Sequence, residues 1–145
     1  MKVLITGGMG VIGAETSRKF VREGQRPVVY ARHYDGRLVG DIADKIDFES
    51  GNILDMPRLL DVIKRHKITH IVHAAAFVGA VSAANPAQSI QVNVMGTVNV
   101  LEAARVFDIK RVVYTSAKGI YGPILGDYFS LTWRTFSYWF TGLFH

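Results

Sequence analysis

The 145-residue chain reads as an α/β fold built on a doubly wound parallel sheet, and three observations predict it. Short apolar runs alternate with helical patterns along the chain. The runs are continuous in apolar residues, as in strands covered on both faces, and do not alternate apolar with polar. Between the first run and the first helical pattern lies a glycine-rich turn, Thr6-Gly7-Gly8-Met9-Gly10-Val11-Ile12-Gly13.

The elements follow in order. Residues 2–6 form the first strand. Residues 11–23 form a helix whose apolar positions include Val11, Ile12, Phe20 and Val21, and Gly24 is its stop. Pro27 to Tyr30 is a short second strand. Ala31 to Asp44 is polar, with Gly36 and Gly40, and reads as loop. Ile46 to Glu49 is the third strand. Asp55 caps a helix from Met56 to Lys64, with Pro57 tolerated in its first turn. Ile68 to His73 is the fourth strand, and the small residues of Ala74 to Ala84 read as loop. Asn85 caps and Pro86 opens a long helix to Val106, on which Ile90, Val94, Val98, Leu101 and Ala104 recur at helical spacing. Arg111 to Tyr114 is the fifth strand, and Thr115 to Pro123 a loop. No repeat or low-complexity segment occurs before residue 127.

The glycine turn carries the first chemical inference. Gly7 and Gly8 permit a tight turn and positive φ. Gly10 lets a pyrophosphate approach the backbone, and Gly13 lets helix and strand pack closely. The helix N-terminus offers free N–H groups and partial positive charge to phosphates. Strand, glycine turn and helix together predict a Rossmann-type dinucleotide site at the carboxyl edge of the sheet, near its topological switch point.

Composition narrows the class. The length fits one domain, and an apolar fraction of 49% is ample for a core. The absence of cysteine excludes disulfides, thiolate metal sites and a catalytic thiol, and no metal is expected. A reducing, cytoplasmic setting fits this, as does an N-terminus with no signal-peptide pattern. No run of about 18 apolar residues predicts a membrane span. The net charge of +5 comes from clusters such as Arg18-Lys19 and Lys64-Arg65-His66-Lys67, which suit helix C-termini. No nucleic-acid motif accompanies them.

Five segments then match one family in order. They are the glycine turn; Gly51-Asn52-Ile53-Leu54-Asp55; Val72-His73-Ala74-Ala75-Ala76; Asn93-Val94-Met95-Gly96-Thr97; and Val113-Tyr114-Thr115-Ser116-Ala117-Lys118-Gly119-Ile120-Tyr121-Gly122. Over residues 1–126 the chain resembles the NAD(P)-dependent epimerase/dehydratase family. These are the extended short-chain dehydrogenases/reductases, which include UDP-sugar 4-epimerases and nucleotide-sugar dehydratases. The resemblance implies a cofactor site drawn from Gly7, Gly10, Val11, Ile12, Gly13, Asn52, Ile53, Ala74, Ala75, Ala76 and Asn93. It implies a nucleotide-sugar substrate. The hydroxyl that meets the substrate oxygen falls, by the resemblance, at the position of Ala117, or one residue earlier at Ser116. His73 reads equally as a satisfied core histidine or as part of the groove wall. Asn93 reads equally as structural or site-shaping.

Two departures bear on chemistry. NAD-binding members carry an acid at the end of the second strand for the ribose 2′-OH. Here Ala31 and Arg32 stand there, and a guanidinium without an acid attracts a 2′-phosphate, so NADP is favoured over NAD. Asn52 stands where the family usually has Asp. The second departure concerns the Tyr-x-x-x-Lys acid/base pair, expected about one helix beyond Gly122. There Tyr128 is followed by Thr132 and Tyr138 by Gly142, and Tyr121 before them by Leu125.

Residues 1–126 are therefore expected to be a partial, incomplete Rossmann domain, with 127–145 an atypical tail and a C-terminal substrate domain absent. From Phe129 on, the tail crowds Phe129, Trp133, Phe136, Tyr138, Trp139, Phe140 and Phe144 around Arg134, the one Asp, Glu, Lys or Arg in that stretch. Two readings stand: a reading frame interrupted near Asp127, or an amphipathic anchor. The fifth strand is expected to be an exposed edge, giving marginal stability or self-association through that edge or the tail. Two functions remain open. One is an oxidoreductase-type epimerase/dehydratase; the other is a dinucleotide-binding or interaction module without turnover.

Overall fold

The computed structural model describes residues 1–117. The aromatic tail, Tyr121, Tyr128, Tyr138 and the boundary expected at residue 127 lie outside them. The chain divides into two units, Met1–Thr115 and Ser116–His145, and the first carries the fold.

Five strands form one parallel sheet: β1 (Val3–Thr6), β2 (Val28–Ala31), β3 (Asp47–Ser50), β4 (His70–His73) and β5 (Arg111–Tyr114). Their order is β3-β2-β1-β4-β5. The chain winds outward from β1 through β2 to β3, then returns to the other side of β1 with β4 and β5. Leu4, Ile5, Val28 and Val29 are fully buried, as the continuous apolar runs require.

Each face has its own core. On one, Leu4, Val28, Tyr30 and Ile71 pack with Leu59, Val62 and Ile63 of α2 (Met56–His66) and with Val100 and Ala103 of α5 (Gly96–Val106). On the other, Val29 packs with Ala14 of α1 (Val11–Arg22), Val39, Ile42 and Ile46. Asp55 caps α2 as expected, its Oδ1 accepting from the Arg58 N–H at 3.0 Å. Gly24 follows α1 with φ +74°.

Several local expectations are corrected. The polar loop after β2 contains a 3-10 helix, Gly40–Lys45, seated by Ile42. The small-residue stretch after β4 contains α3 (Gly79–Ala84). Asn85 precedes α4 (Pro86–Ile90) without a side-chain capping bond. The long helix is one helical run interrupted by a π-turn, Gln91–Met95, before α5.

Burial on the helices also departs from the apolar spacing. Ile90, Val94, Val98 and Leu101 are exposed, and the buried positions are Ser89, Val92, Gly96, Val100 and Ala103. Small residues win those places because the helix approaches closely: a Cβ on Gly96 would lie 2.7 Å from Ile53 Cγ2. The π-turn adds to the shift, since one wide turn breaks the 3.6-residue phase between α4 and α5. On α1, likewise, Val11 and Ile12 are exposed while Gly13, Ala14 and Ser17 face the sheet.

Candidate dinucleotide groove

The sheet order reverses between β1 and β4, and a groove of about 360 Å³ opens at the carboxyl ends of the strands there. Its floor and walls come from Gly7, Met9 and Gly10 after β1, from Tyr30 and Ala31 at the end of β2 with Arg32, His33 and Asp35 beyond it, and from Gly51 to Leu54 after β3. Ala74 to Phe77 after β4, Gln88 and Val92 complete it.

The glycines do separate jobs. Gly7 has φ +67°, and a Cβ on it would lie 2.6 Å from the Ala75 nitrogen. Only a bare backbone lets the turns after β1 and β4 meet. Gly13 packs against the backbone of Gly7 and Gly8, which seats α1 on the turn. Gly10 is the N-cap of α1, without a side-chain cap and with no acid in the first helical turn. That helix end therefore presents donors and positive potential to an anion.

A one-way chain of hydrogen bonds holds the wall at β4. Thr6 and His73 are register partners on β1 and β4. Thr6 Oγ1 lies 2.6 Å from His73 Nδ1, and His73 Nε2 lies 3.1 Å from Thr97 Oγ1. At one end the Ala75 N–H donates to Thr6 Oγ1 at 3.4 Å. At the other, the Thr97 hydroxyl donates to the Asn93 carbonyl at 2.7 Å. A backbone donor at one end and a backbone acceptor at the other fix the polarity. Thr6 donates to Nδ1, and Nε2–H donates to Thr97. His73 is thus the neutral Nε2–H tautomer. Burial pushes its pKa down to about 4.

Asn93, on the π-turn, holds the next part of the wall. Its Oδ1 accepts from the Phe77 N–H at 2.8 Å, and its Nδ2 donates to the Phe77 carbonyl at 2.9 Å. Phe77 in turn lies under Arg32, whose guanidinium carbon sits 5.2 Å from the ring centroid. Ser50 Oγ donates to the Arg32 carbonyl at 3.0 Å. Asp35, the acid on this rim, is committed to Arg37. It accepts from both the Arg37 backbone N–H and the guanidinium, and these bonds hold its pKa at about 2.

The far end is built around Tyr30. Its hydroxyl donates to the Asn52 carbonyl at 3.0 Å, and burial pushes its pKa up to about 12. The ring occupies the space above Gly51, where a Cβ would lie 2.5 Å from Cε2.

Of the residues expected at the cofactor, Gly7, Gly10, Arg32, Asn52, Ile53, Ala74, Ala75 and Ala76 line this groove. Val11, Ile12, Gly13 and Asn93 do not line it. Gly13 and Asn93 act behind the wall, while Val11 and Ile12 form the exposed first turn of α1. Ser116 is exposed and belongs to the second unit. His73 is a satisfied buried histidine, 1% exposed. Sequence reasoning missed Tyr30, His33 and Phe77 as lining residues; the available signal was their place at or just after the ends of β2 and β4. It also overlooked that Tyr114 has Lys118 four residues on. Tyr114 ends strand β5 and is not on a helix face, and Lys118 lies outside the described residues.

A five-stranded parallel sheet with a glycine turn at its switch point and an adjoining groove defines the Rossmann-type nucleotide-binding class. Within that class, the chain belongs to the NAD dependent epimerase/dehydratase family, whose model matches residues 3–131. It is 31% identical over 135 residues to UDP-glucose 4-epimerase of Mus musculus, an alignment covering 83% of this chain and 39% of that protein. It is 35% identical over 121 residues to UDP-glucose 4-epimerase of Rhizobium meliloti (strain 1021), covering 83% and 36%. Among solved structures, UDP-glucose 4-epimerase from Brucella ovis in complex with NAD matches with TM-score 0.74 at 31% identity, covering 84% of this chain and 37% of that one. The NAD complex of the Thermus thermophilus UDP-glucose 4-epimerase matches with TM-score 0.79 at 28% identity, covering 88% and 41%. The chain thus spans well under half the length of the relatives it matches. Among the described residues, no helix is long and apolar enough to cross a membrane.

Proposed function

We propose that this chain is the dinucleotide-binding part of a nucleotide-sugar epimerase/dehydratase, and that it takes NADP in preference to NAD. The observation that carries the reading is the groove at the switch point, with its uncapped helix N-terminus and glycine walls. The pyrophosphate lies at Gly7 to Gly10 and the α1 N-terminus. The ribose lies at the end of β2 and the base against residues 51–54. A bound nicotinamide would supply hydride chemistry. This chain's own residues bind and orient the dinucleotide.

The preference for NADP rests on Arg32. It is held over Phe77 at the ribose end, and the acid on that rim is neutralised by Arg37. A 2′-phosphate meets a guanidinium there and no free carboxylate. The cytoplasm is the compartment proposed, on the absence of cysteine.

The second reading is a binding module without turnover. It is favoured by the lack of a Tyr-x-x-x-Lys pair beyond Gly122, where the family's acid/base helix falls. Two measurements on the purified full chain test these readings. Fluorescence titration with NADPH and NADH is expected to give saturable binding of both, tighter for NADPH. Absence of binding by a folded chain overturns the first reading. Change in cofactor absorbance on adding UDP-sugars separates an enzyme from a module.

A further inference from the structure

Arg32 follows the last residue of β2, and a side chain takes over there from the strand ladder. Ala31 and Ser50 are register partners on β2 and β3. The Gly51 N–H donates to the Ala31 carbonyl at 3.0 Å, and β2 ends at that residue. The next acceptor along the chain, the Arg32 carbonyl, takes its bond from Ser50 Oγ at 3.0 Å. A hydroxyl thus carries the β2–β3 pairing one residue further than the backbone does. Ser50 is itself held. Its carbonyl accepts from Arg58 Nε at 3.0 Å, and Arg58 is anchored on Glu49 at 2.7 Å and on Asp61 at 3.0 Å.

The other end of Arg32 rests over Phe77, whose backbone N–H and carbonyl are both bonded to the Asn93 amide. Between these two points the guanidinium forms no ion pair among the described residues. Arg18, Arg26, Arg37, Arg58, Arg65 and Arg105 each hold a carboxylate. Arg32 is therefore fixed at its backbone and at its head, with its donors left for a ligand. A long side chain ordered in advance loses less conformational freedom when an anion arrives.

We propose that Ser50 is a positioning residue for cofactor choice: its hydroxyl sets the direction in which Arg32 leaves the strand, and so how well the groove takes a 2′-phosphate. Ser50 does not line the groove and acts through Arg32. Without the hydroxyl, the Arg32 carbonyl at this exposed strand end turns to water, which replaces the lost bond at little expense to the fold. What is lost is the fixed origin of the guanidinium. The effect therefore falls on the dinucleotide that carries the extra phosphate and spares the one that lacks it. The proposal rests on the NADP reading given above.

The test is fluorescence titration of the full chain with NADPH and with NADH. Ser50→Ala is expected to weaken NADPH binding by about threefold to tenfold, the scale of one hydrogen bond, and to leave NADH binding within about twofold of wild type. Ser50→Thr keeps a hydroxyl on a strand residue and is expected to retain the wild-type ratio of the two affinities. In an Arg32→Ala background, Ser50→Ala is expected to leave that ratio unchanged, because its effect runs through Arg32. Three results overturn the proposal and leave the NADP reading standing: a wild-type NADPH preference that Ser50→Ala does not alter, an equal loss for both cofactors, or a selective loss that persists without Arg32. A wild-type chain that binds NADH as tightly as NADPH overturns the NADP reading and the proposal together.

Discussion

Thr6 Oγ1 stands 2.6 Å from His73 Nδ1, joining β1 to β4 at the point where the sheet changes direction. The bond ties the two strand ends whose following turns, at Gly7 and Ala74, form the groove. It also sets the tautomer that lets His73 Nε2–H reach Thr97 on α5. Thr6→Val keeps the shape and removes the donor, leaving a buried imidazole nitrogen without a partner. A loss of about 1–3 kcal/mol is expected in urea unfolding. Nitrogen-15 shifts of the imidazole report the tautomer directly; a wild-type Nδ1–H form would contradict the assigned polarity.

The same histidine gives a pH dependence. Its folded-state pKa of about 4 lies below the ordinary 6.5, so the unfolded chain binds the proton more readily. Stability from this group is full above pH 6.5 and is lost as pH falls from 6.5 toward 4. The separation corresponds to about 3 kcal/mol. Chemical unfolding at stepped pH is expected to show this slope, and His73→Asn to flatten it within that window. Burial opposes the charged form of Glu49, but Arg65 and His66 hold its pKa at about 2, so its contribution is lost as pH falls from 4.5 toward 2, a window that adjoins that of His73 near pH 4.

Gly13→Ala places a methyl group against the backbone of Gly7 and Gly8, which cannot move away as a side chain can. The helix must lift from the turn. A destabilisation of about 1–3 kcal/mol is expected, as for other overpacked positions. NADPH affinity is expected to fall further than that of Gly24→Ala. At Gly24 the positive φ strains the backbone but a Cβ meets open space, far from the groove.

Arg32→Ala is expected to lower NADPH affinity by about tenfold or more while changing NADH affinity little, since a charge-assisted bond to phosphate contributes about 1.5–3 kcal/mol. Phe77→Leu keeps an apolar wall but removes the ring under the guanidinium. A smaller fall in NADPH affinity, of the order of threefold, is expected from the lost cation–π contact. Equal effects of Arg32→Ala on both cofactors would remove Arg32 as the 2′-phosphate contact.

The positions of the strands and about half of the groove were legible because they depend on local chemistry. The glycine turn, the Asp55 cap and the apolar runs each specify their own conformation. The resemblance put Ala74 to Ala76 in the cofactor site, and they line the groove. The helix faces were not legible. Ile90, Val94, Val98 and Leu101 have helical spacing and are exposed, because spacing identifies a stripe without saying which stripe meets the sheet. Gly96 and Ala103 won that place by allowing a closer approach. The π-turn at Gln91–Met95, which aims Asn93 at Phe77, has no short-range signature.

The amino-acid sequence by itself determined the alternation of strands and helices, the position of the glycine turn, and the residue types available at the end of β2. These follow from steric and periodic preferences acting over a few residues. Only the tertiary structure decided that Thr6, His73, Thr97 and Asn93 form one directed chain, and that Phe77 carries Arg32. It alone decided that Tyr30 reaches across to Asn52. Apart from the Thr97 to Asn93 bond within one helical run, these contacts join residues 16 to 67 positions apart, and a donor finds its acceptor only once the parallel sheet has brought the strand ends together.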